Sequence, residues 1–368
     1  MLPHAQRELG GGALHAHHDF AERSEATPAI AALPSPSPAR RLLGLDMLRG
    51  IAALCVVALH LQWINADHPR IFAKGFLAVD LFFMLSGYVM ARTYEGRMAS
   101  GLSPLKFLAA RYRRLWPIMA IGGAIGLPHL FLMPPGNASF AVAAGFNLLL
   151  LPIPAKDLAF PLNFPAWSIF FELSVNLIHG LVLWRLGIRW LAVLIAVVIP
   201  LTAWAAFHAG TLDVGAHTDD YYLALARAML SYVIGIVLYR WWRDAPSLRI
   251  SPLLAFAAMP VLFASSWLFG VDDWRVDLGF IIVVCPLLIA GGLRFRSPEG
   301  SSLSSAAAAF GALSFPLYAV HLPVIQGMNM LGYGSIGGGI AALTVGAALT
   351  LVAELVAQRR KQRRKATA

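Results

Sequence analysis

Two residues set the chemistry of this sequence: Arg49 and His60, eleven positions apart inside the apolar run Leu45 to Trp63, LDMLRGIAALCVVALHLQW. On a helix they fall on nearly the same face, about 16 Å apart along the axis. An ionisable side chain in hydrocarbon costs at least about 2–3 kcal/mol, so both residues need a reason to be there. Further ionisable groups lie in or beside other apolar runs: Asp46, Asp80, Arg111, Arg114, Glu172, Arg227 and His321. Imidazole titrates near neutral pH and a carboxylate can orient it, so His60 with Asp80 or Glu172 is a candidate general base. Arginines bind phosphates through paired hydrogen bonds, which makes Arg49, Arg111 and Arg114 a candidate phosphate site. The bland alternative is that these groups pair to hold helices together, as Asp46 and Arg49 can at i, i+3. His321, between Pro316 and Pro323, reads equally well as a packed histidine in a bent helix or as a catalytic one. His129 and His179 are single residues on apolar runs and read as structural.

The elements that must carry these residues are membrane helices. The chain has 368 residues, 58% of them hydrophobic and 13% charged, with a mean hydropathy of +0.66; soluble domains average about 45–50% and 25%. A window of about 20 apolar residues gives spans near 44–63, 75–94, 115–133, 165–184, 189–208, 219–239, 250–269, 277–293, 305–327 and 335–357. The expected fold is an all-α polytopic bundle of about ten transmembrane helices. The segment 140–151, bracketed by Pro134, Pro135, Pro152 and Pro154, is too short to cross and reads as interfacial or re-entrant.

Positive charge orients the bundle, because short cytoplasmic loops collect Lys and Arg. With the amino terminus inside, Arg40 and Arg41, the Lys106 to Arg114 loop, Arg185 and Arg189, Arg240 and Arg243, Arg294 and Arg296, and the tail RRKQRRK all face the cytoplasm. Asp67, Asp157, Asp213, Asp219, Asp220, Asp272 and Asp273 face out. Both termini are then cytoplasmic, with a disordered tail over residues 1–40, a transmembrane domain over 41–358 and a basic tail over 359–368. The net charge of +10 is explained by this topology, so nucleic acid is not an expected partner. By depth, His60, Asp80, Glu172, Arg227 and His321 lie toward the outside, and Asp46, Arg49, Arg111 and Arg114 toward the inside.

Other features carry less. Cys55 and Cys285 sit in apolar runs and read as packing residues. His15, His17 and His18 lack companion ligands, and no metal site is expected. Trp167 and Trp274 are placed at membrane interfaces, as belt tryptophans are. His208 with Asp213, and the stretch around Glu299, echo two motifs of soluble-faced glycerolipid acyltransferases, but they fall on opposite sides of the membrane. Asn137-Ala138-Ser139 reads as a chance sequon.

Several stretches together carry a resemblance. These are LDMLRGIAALCVVALH with Arg49 and His60, GFLAVDLFFMLSGYVM with Asp80, Ser86 and Gly87, and FLAARYRRLWP with Arg111, Arg114 and Pro117. PAWSIFFELS with Trp167, Ser168 and Glu172, ARAMLSYVIGIVLYR with Arg227 and Gly235, and LSFPLYAVHLPV with Ser314, Tyr318 and His321 follow in the same order. The chain resembles the membrane-bound acyltransferase 3 family, whose members acylate surface polysaccharides, lipid-linked sugars and some antibiotics. Met84, Tyr88 and Ile169 depart from its usual residues. The resemblance implies ten spans in the bacterial inner membrane, an acyl-CoA donor, most commonly acetyl-CoA, and a carbohydrate hydroxyl at the outer face as acceptor. The resemblance makes His60 the essential histidine, Arg49 its partner in the first span, and Arg111 with Arg114 the cytoplasmic pair that holds the donor. From the residue chemistry, Glu172 or Asp80 would orient His60 and Arg49 would join Arg111 and Arg114 on the CoA phosphates, with Ser86, Trp167, Arg227 and His321 as further site residues. No permanently bound cofactor is implied, and direct transfer and an acyl-enzyme relay stay open. Some relatives carry an esterase-like domain after the last span. Here the membrane domain, or a periplasmic partner, would have to complete transfer. The competing reading is a transporter or flippase whose polar path is lined by Arg49, Asp80, Glu172 and Arg227; the absence of an internal repeat between the halves weighs against it.

Overall fold

A computed structural model of the chain describes residues 41–64, 69–132, 139–153 and 158–366. The expected tail 1–40, Asp67, Asp157 and Asn137 lie outside the described residues. The apolar runs become helices because backbone N–H and C=O groups in hydrocarbon must be bonded within their own segment. In order they are α1 Leu43–Ile64, α2 Ala78–Ala99, α3 Pro104–Leu132, α4 Phe140–Leu148, α5 Ala166–Leu181, α6 Ile188–Ala209, α7 Ala224–Trp242, α8 Pro252–Leu268, α9 Trp274–Gly279, α10 Cys285–Arg294, α11 Ser302–Met330 and α12 Gly334–Ala366. A π-helical turn over Phe280–Val284 joins α9 to α10 ahead of Pro286, so Trp274–Arg294 is one apolar helix. The described residues contain no strand beyond one isolated bridge, Leu158 to His217.

The protein is therefore an all-α membrane bundle, and among the described residues eight helices are long and apolar enough to cross a bilayer. Two of the ten expected spans are shorter: α5 has 16 residues and α8 has 17. At 1.5 Å per residue they reach about 24–26 Å, against roughly 30 Å of hydrocarbon. Helix α4, with 9 residues, reaches about 13 Å and does not cross. Its Asn147 amide donates to the Leu151 and Ala159 carbonyls at 3.1 and 3.2 Å and accepts from the Leu162 N–H at 3.1 Å. Gly126, late in α3, lies so close to Leu162 that a Cβ there would come within 2.0 Å of its carbonyl oxygen. Chain leaving α3 thus returns to start α5 at the same end of the bundle. The basic stretch after Gln358, expected as a tail, continues α12 as helix to Ala366.

Two long-range pairings position the functional residues. Helix α1 packs along α11, and α2 along α7. The second contact is unusually close: a Cβ on Gly87 would fall 2.0 Å from the Tyr232 carbonyl, and one on Gly235 2.0 Å from that of Met84. Small residues let membrane helices approach backbone to backbone. At this separation a charged group on α2 can meet one on α7 directly. Near the same end, Lys74 donates to Asp272 at 2.9 Å and Asp277 at 3.0 Å, tying the turn before α2 to α9.

Candidate active site

His60, in the last turns of α1, is 4% exposed. Its Nδ1 lies 2.9 Å from the Val56 carbonyl and 3.0 Å from Nε2 of His321 on α11. Nδ1 of His321 in turn lies 2.8 Å from the Tyr318 carbonyl. Carbonyl oxygens only accept, so His321 carries its proton on Nδ1 and offers a lone pair at Nε2. His60 must then donate from Nδ1, which leaves its Nε2 deprotonated. That nitrogen is buried and has no hydrogen-bond partner. The result is a base with its lone pair unengaged, and its tautomer is set by a second histidine and a main-chain carbonyl.

Prolines help place the pair. Pro323 has no N–H, which leaves the Ala319 carbonyl unpaired within α11, and Asn163 Nδ2 donates to that carbonyl at 2.9 Å. One turn away the Ser168 and Tyr318 hydroxyls are 2.6 Å apart, both within reach of the Pro165 carbonyl. The start of α5 is thereby fastened to α11 beside His321. Around His60 the rings of Trp63 and Phe164 stand edge-on, with centroids at 4.3 and 6.0 Å.

Asp80 was expected beside His60 and is elsewhere. Arg227 Nε and Nη2 clamp its carboxylate at 2.6–3.0 Å, and Ser231 donates a further bond at 3.2 Å. Remaining guanidinium donors reach the Phe76 and Val214 carbonyls at 2.9 and 3.3 Å. The guanidinium lies over the Phe76 and Trp167 rings, at 5.3 and 5.6 Å from their centroids. Both residues are fully buried. The ion pair is made across the α2–α7 contact and further guanidinium donors bond main-chain carbonyls beside it, so Asp80, Arg227 and Trp167 form a packed structural unit.

Glu172 also departs from its expected place. It accepts from Arg111 Nη2 at 2.5 Å and from Ser86 at 2.9 Å, and bonds to His60 in neither direction. Depth explains this. Helix α5 begins only at Ala166, so Glu172 is already about 9 Å in, while Arg111 reaches about 10 Å into α3 from the other end. The two meet near mid-depth. Neither carboxylate therefore orients the imidazole; His321 occupies that position.

The three arginines do come together. Arg49 and Arg114 share an electrostatic neighbourhood with Arg111, Glu172 and Asp46. Asp46 is engaged by Arg41 at 2.5 Å, and Nε of Arg111 is buried without a partner. Arg49, Arg111 and Arg114, with Arg41 on Asp46, outnumber the two carboxylates of Glu172 and Asp46, and this excess of positive charge suits a phosphorylated ligand. This cluster and the histidine pair occupy opposite ends of one helix face, about 16 Å apart along α1.

Among the described residues no group of His, Cys, Asp and Glu could hold a metal ion. His208 is exposed and bonds only its own helix, at the Trp204 carbonyl, far from Glu299 at the opposite end. Asn163, Trp63 and Phe164 were missed from the sequence. Trp63 had a signal, since at i+3 it shares the His60 face. Asn163 had none by itself, because its role depends on a carbonyl freed by a proline in another helix.

The chain is similar to known proteins over most of its length. The model of the acyltransferase 3 family, described as an acyltransferase domain, matches residues 42–359. Protein 2 in the picA locus of Rhizobium radiobacter is 38% identical over 166 residues, covering 40% of this chain and 84% of that protein. The putative membrane-bound transacylase BcsY of Komagataeibacter xylinus is 24% identical over 87% of this chain and 81% of its own length. The peptidoglycan O-acetyltransferase OatA of Listeria monocytogenes is 25% identical over 76% of this chain and 49% of its own. No solved structure matches. A family match across nearly the whole helical bundle, together with the helices themselves, makes the chain a multi-pass membrane acyltransferase of the acyltransferase 3 family.

Proposed function

We propose that this enzyme moves an acyl group, acetyl in the simplest case, from cytoplasmic acyl-CoA to a hydroxyl of a surface carbohydrate such as an exopolysaccharide or O-antigen. The single observation that carries this is the unpartnered Nε2 of His60 at one end of α1, with the arginine cluster at the other. Donor phosphates held by Arg49, Arg111 and Arg114 would leave a thioester to be reached by an arm about 16 Å long, which is the part the phosphopantetheine of CoA plays. The acceptor hydroxyl gives its proton to Nε2 as its oxygen bonds to the thioester carbonyl carbon. Collapse of the tetrahedral intermediate breaks the C–S bond, and the departing thiolate takes that proton, restoring neutral His60. No resident cofactor enters this scheme.

Basic loops at the arginine end support a cytoplasmic position for that end in a bacterial inner membrane, with His60 toward the periplasm, where a partner protein would complete delivery. OatA, by its name, acetylates peptidoglycan, which supports a carbohydrate acceptor, and BcsY, named a putative membrane-bound transacylase, supports acyl transfer. The transport reading has less support, since Asp80 and Arg227 bond to each other. Mass spectrometry of surface glycans from a deletion strain and a complemented strain tests the proposal. One acyl mass should be lost and regained. Identical glycans in the two strains, with no CoA released by the purified protein, would sink it.

A further inference from the structure

We propose that Trp63, with Phe164, forms the platform on which the acceptor sugar ring lies while its hydroxyl meets His60; this rests on the carbohydrate reading above. Trp63 stands one turn beyond His60 on the same face of α1. Its ring meets the His60 ring at 4.3 Å and 76°, and that of Phe164 at 5.2 Å and 85°. Phe164 in turn has the His217 ring at 6.3 Å. Belt tryptophans present their rings to lipid and headgroups. Trp63 instead packs on the rings of buried His60 and half-buried Phe164, yet 42% of it stays exposed beside a histidine that is 4% exposed.

An exposed aromatic surface next to a buried base needs an occupant that is flat, partly apolar and rich in hydroxyls. A pyranose fits. Its C–H face packs against an aromatic face as any apolar surface does, and its equatorial hydroxyls point outward from the ring edge toward the neighbouring imidazole. The wall is stiff. The two segments that carry Phe164 and His217 are bridged at Leu158 and His217, with the Ala159 N–H donating to Ala216 at 3.2 Å. Asn163, next to Phe164, is fastened to α11. A sugar lying there would find its position set by groups that also set His60.

The test uses the full-length protein in nanodiscs, with acetyl-CoA and oligosaccharides prepared from the source organism's own envelope, reading acceptor-dependent CoA release. Trp63→Ala should raise the half-saturating oligosaccharide concentration about tenfold, while Trp63→Phe, which keeps a flat apolar face, should stay within about threefold. Half-saturating acetyl-CoA should hardly move in either variant. An unchanged acceptor requirement in Trp63→Ala, or equal shifts for both substrates, overturns the platform. Failure of wild-type protein to release CoA in response to any of the oligosaccharides, with release in response to a non-carbohydrate alcohol, would instead overturn the carbohydrate reading beneath it.

Discussion

Replacing His321 by alanine removes the acceptor that His60 Nδ1 faces at 3.0 Å but leaves the Val56 carbonyl at 2.9 Å. The favoured tautomer survives with one support in place of two. A neutral hydrogen bond contributes about 0.5–1.5 kcal/mol net, so acetyl transfer at saturating substrates should fall by only about 3- to 10-fold. Loss of the base itself, in His60→Ala, should cost about 10²- to 10⁴-fold. His321→Gln puts an amide oxygen near the former Nε2, can accept the same proton, and should recover most of the rate. The assay is transfer of labelled acetyl from acetyl-CoA to oligosaccharide, with each variant checked for equal insertion. If His321→Ala is as inactive as His60→Ala, His321 touches the reacting atoms and the positioning role is wrong. If glutamine is no better than alanine, the hydrogen bond is not what matters.

Two further outcomes follow from the other clusters. Arg227→Met leaves Asp80 charged and unpaired in the α2–α7 contact, a loss of about 3–5 kcal/mol. Thermal unfolding in detergent should show a large drop, which Arg227→Met with Asp80→Asn partly restores, and an unchanged melting temperature would refute the structural reading. Arg49→Ala and Arg114→Ala should each raise the acyl-CoA requirement by roughly tenfold or more, as expected when a charge-assisted bond worth about 1.5–3 kcal/mol is removed. Added salt should narrow the difference for Arg114, the exposed one of the two. A fall in turnover with the donor requirement unmoved would place these arginines outside the donor site.

Depth along the membrane was legible in the sequence, and direction around each helix was not. Apolar runs of the right length, broken by basic and acidic loops in alternation, led to the helices and to Arg49 and His60 on one face of α1. Proline brackets marked 140–151 as too short to cross, and α4 is. Partner choice was another matter. Asp80 and His60 are near the same end, but whether they meet depends on the reciprocal glycines Gly87 and Gly235, which turn Asp80 toward α7. Glu172 falls early in the span expected over 165–184, which puts it toward the histidine end. In the structure it is six residues into α5 and meets Ser86 of α2 and Arg111, which α3 brings to the same depth from the other end. His321 could be narrowed to two roles, and only the facing nitrogens of two helices 261 residues apart in sequence favour one of them.

The proposed division of labour along α1, donor binding at one end and transfer at the other, meets its sharpest test in one paired measurement: acetyl-CoA binding and acetyl transfer, both on His60→Ala in nanodiscs. The variant should bind acetyl-CoA as wild type does and transfer at least about a hundredfold more slowly. Transfer at the wild-type rate, or loss of donor binding equal to that of Arg49→Ala, would contradict it.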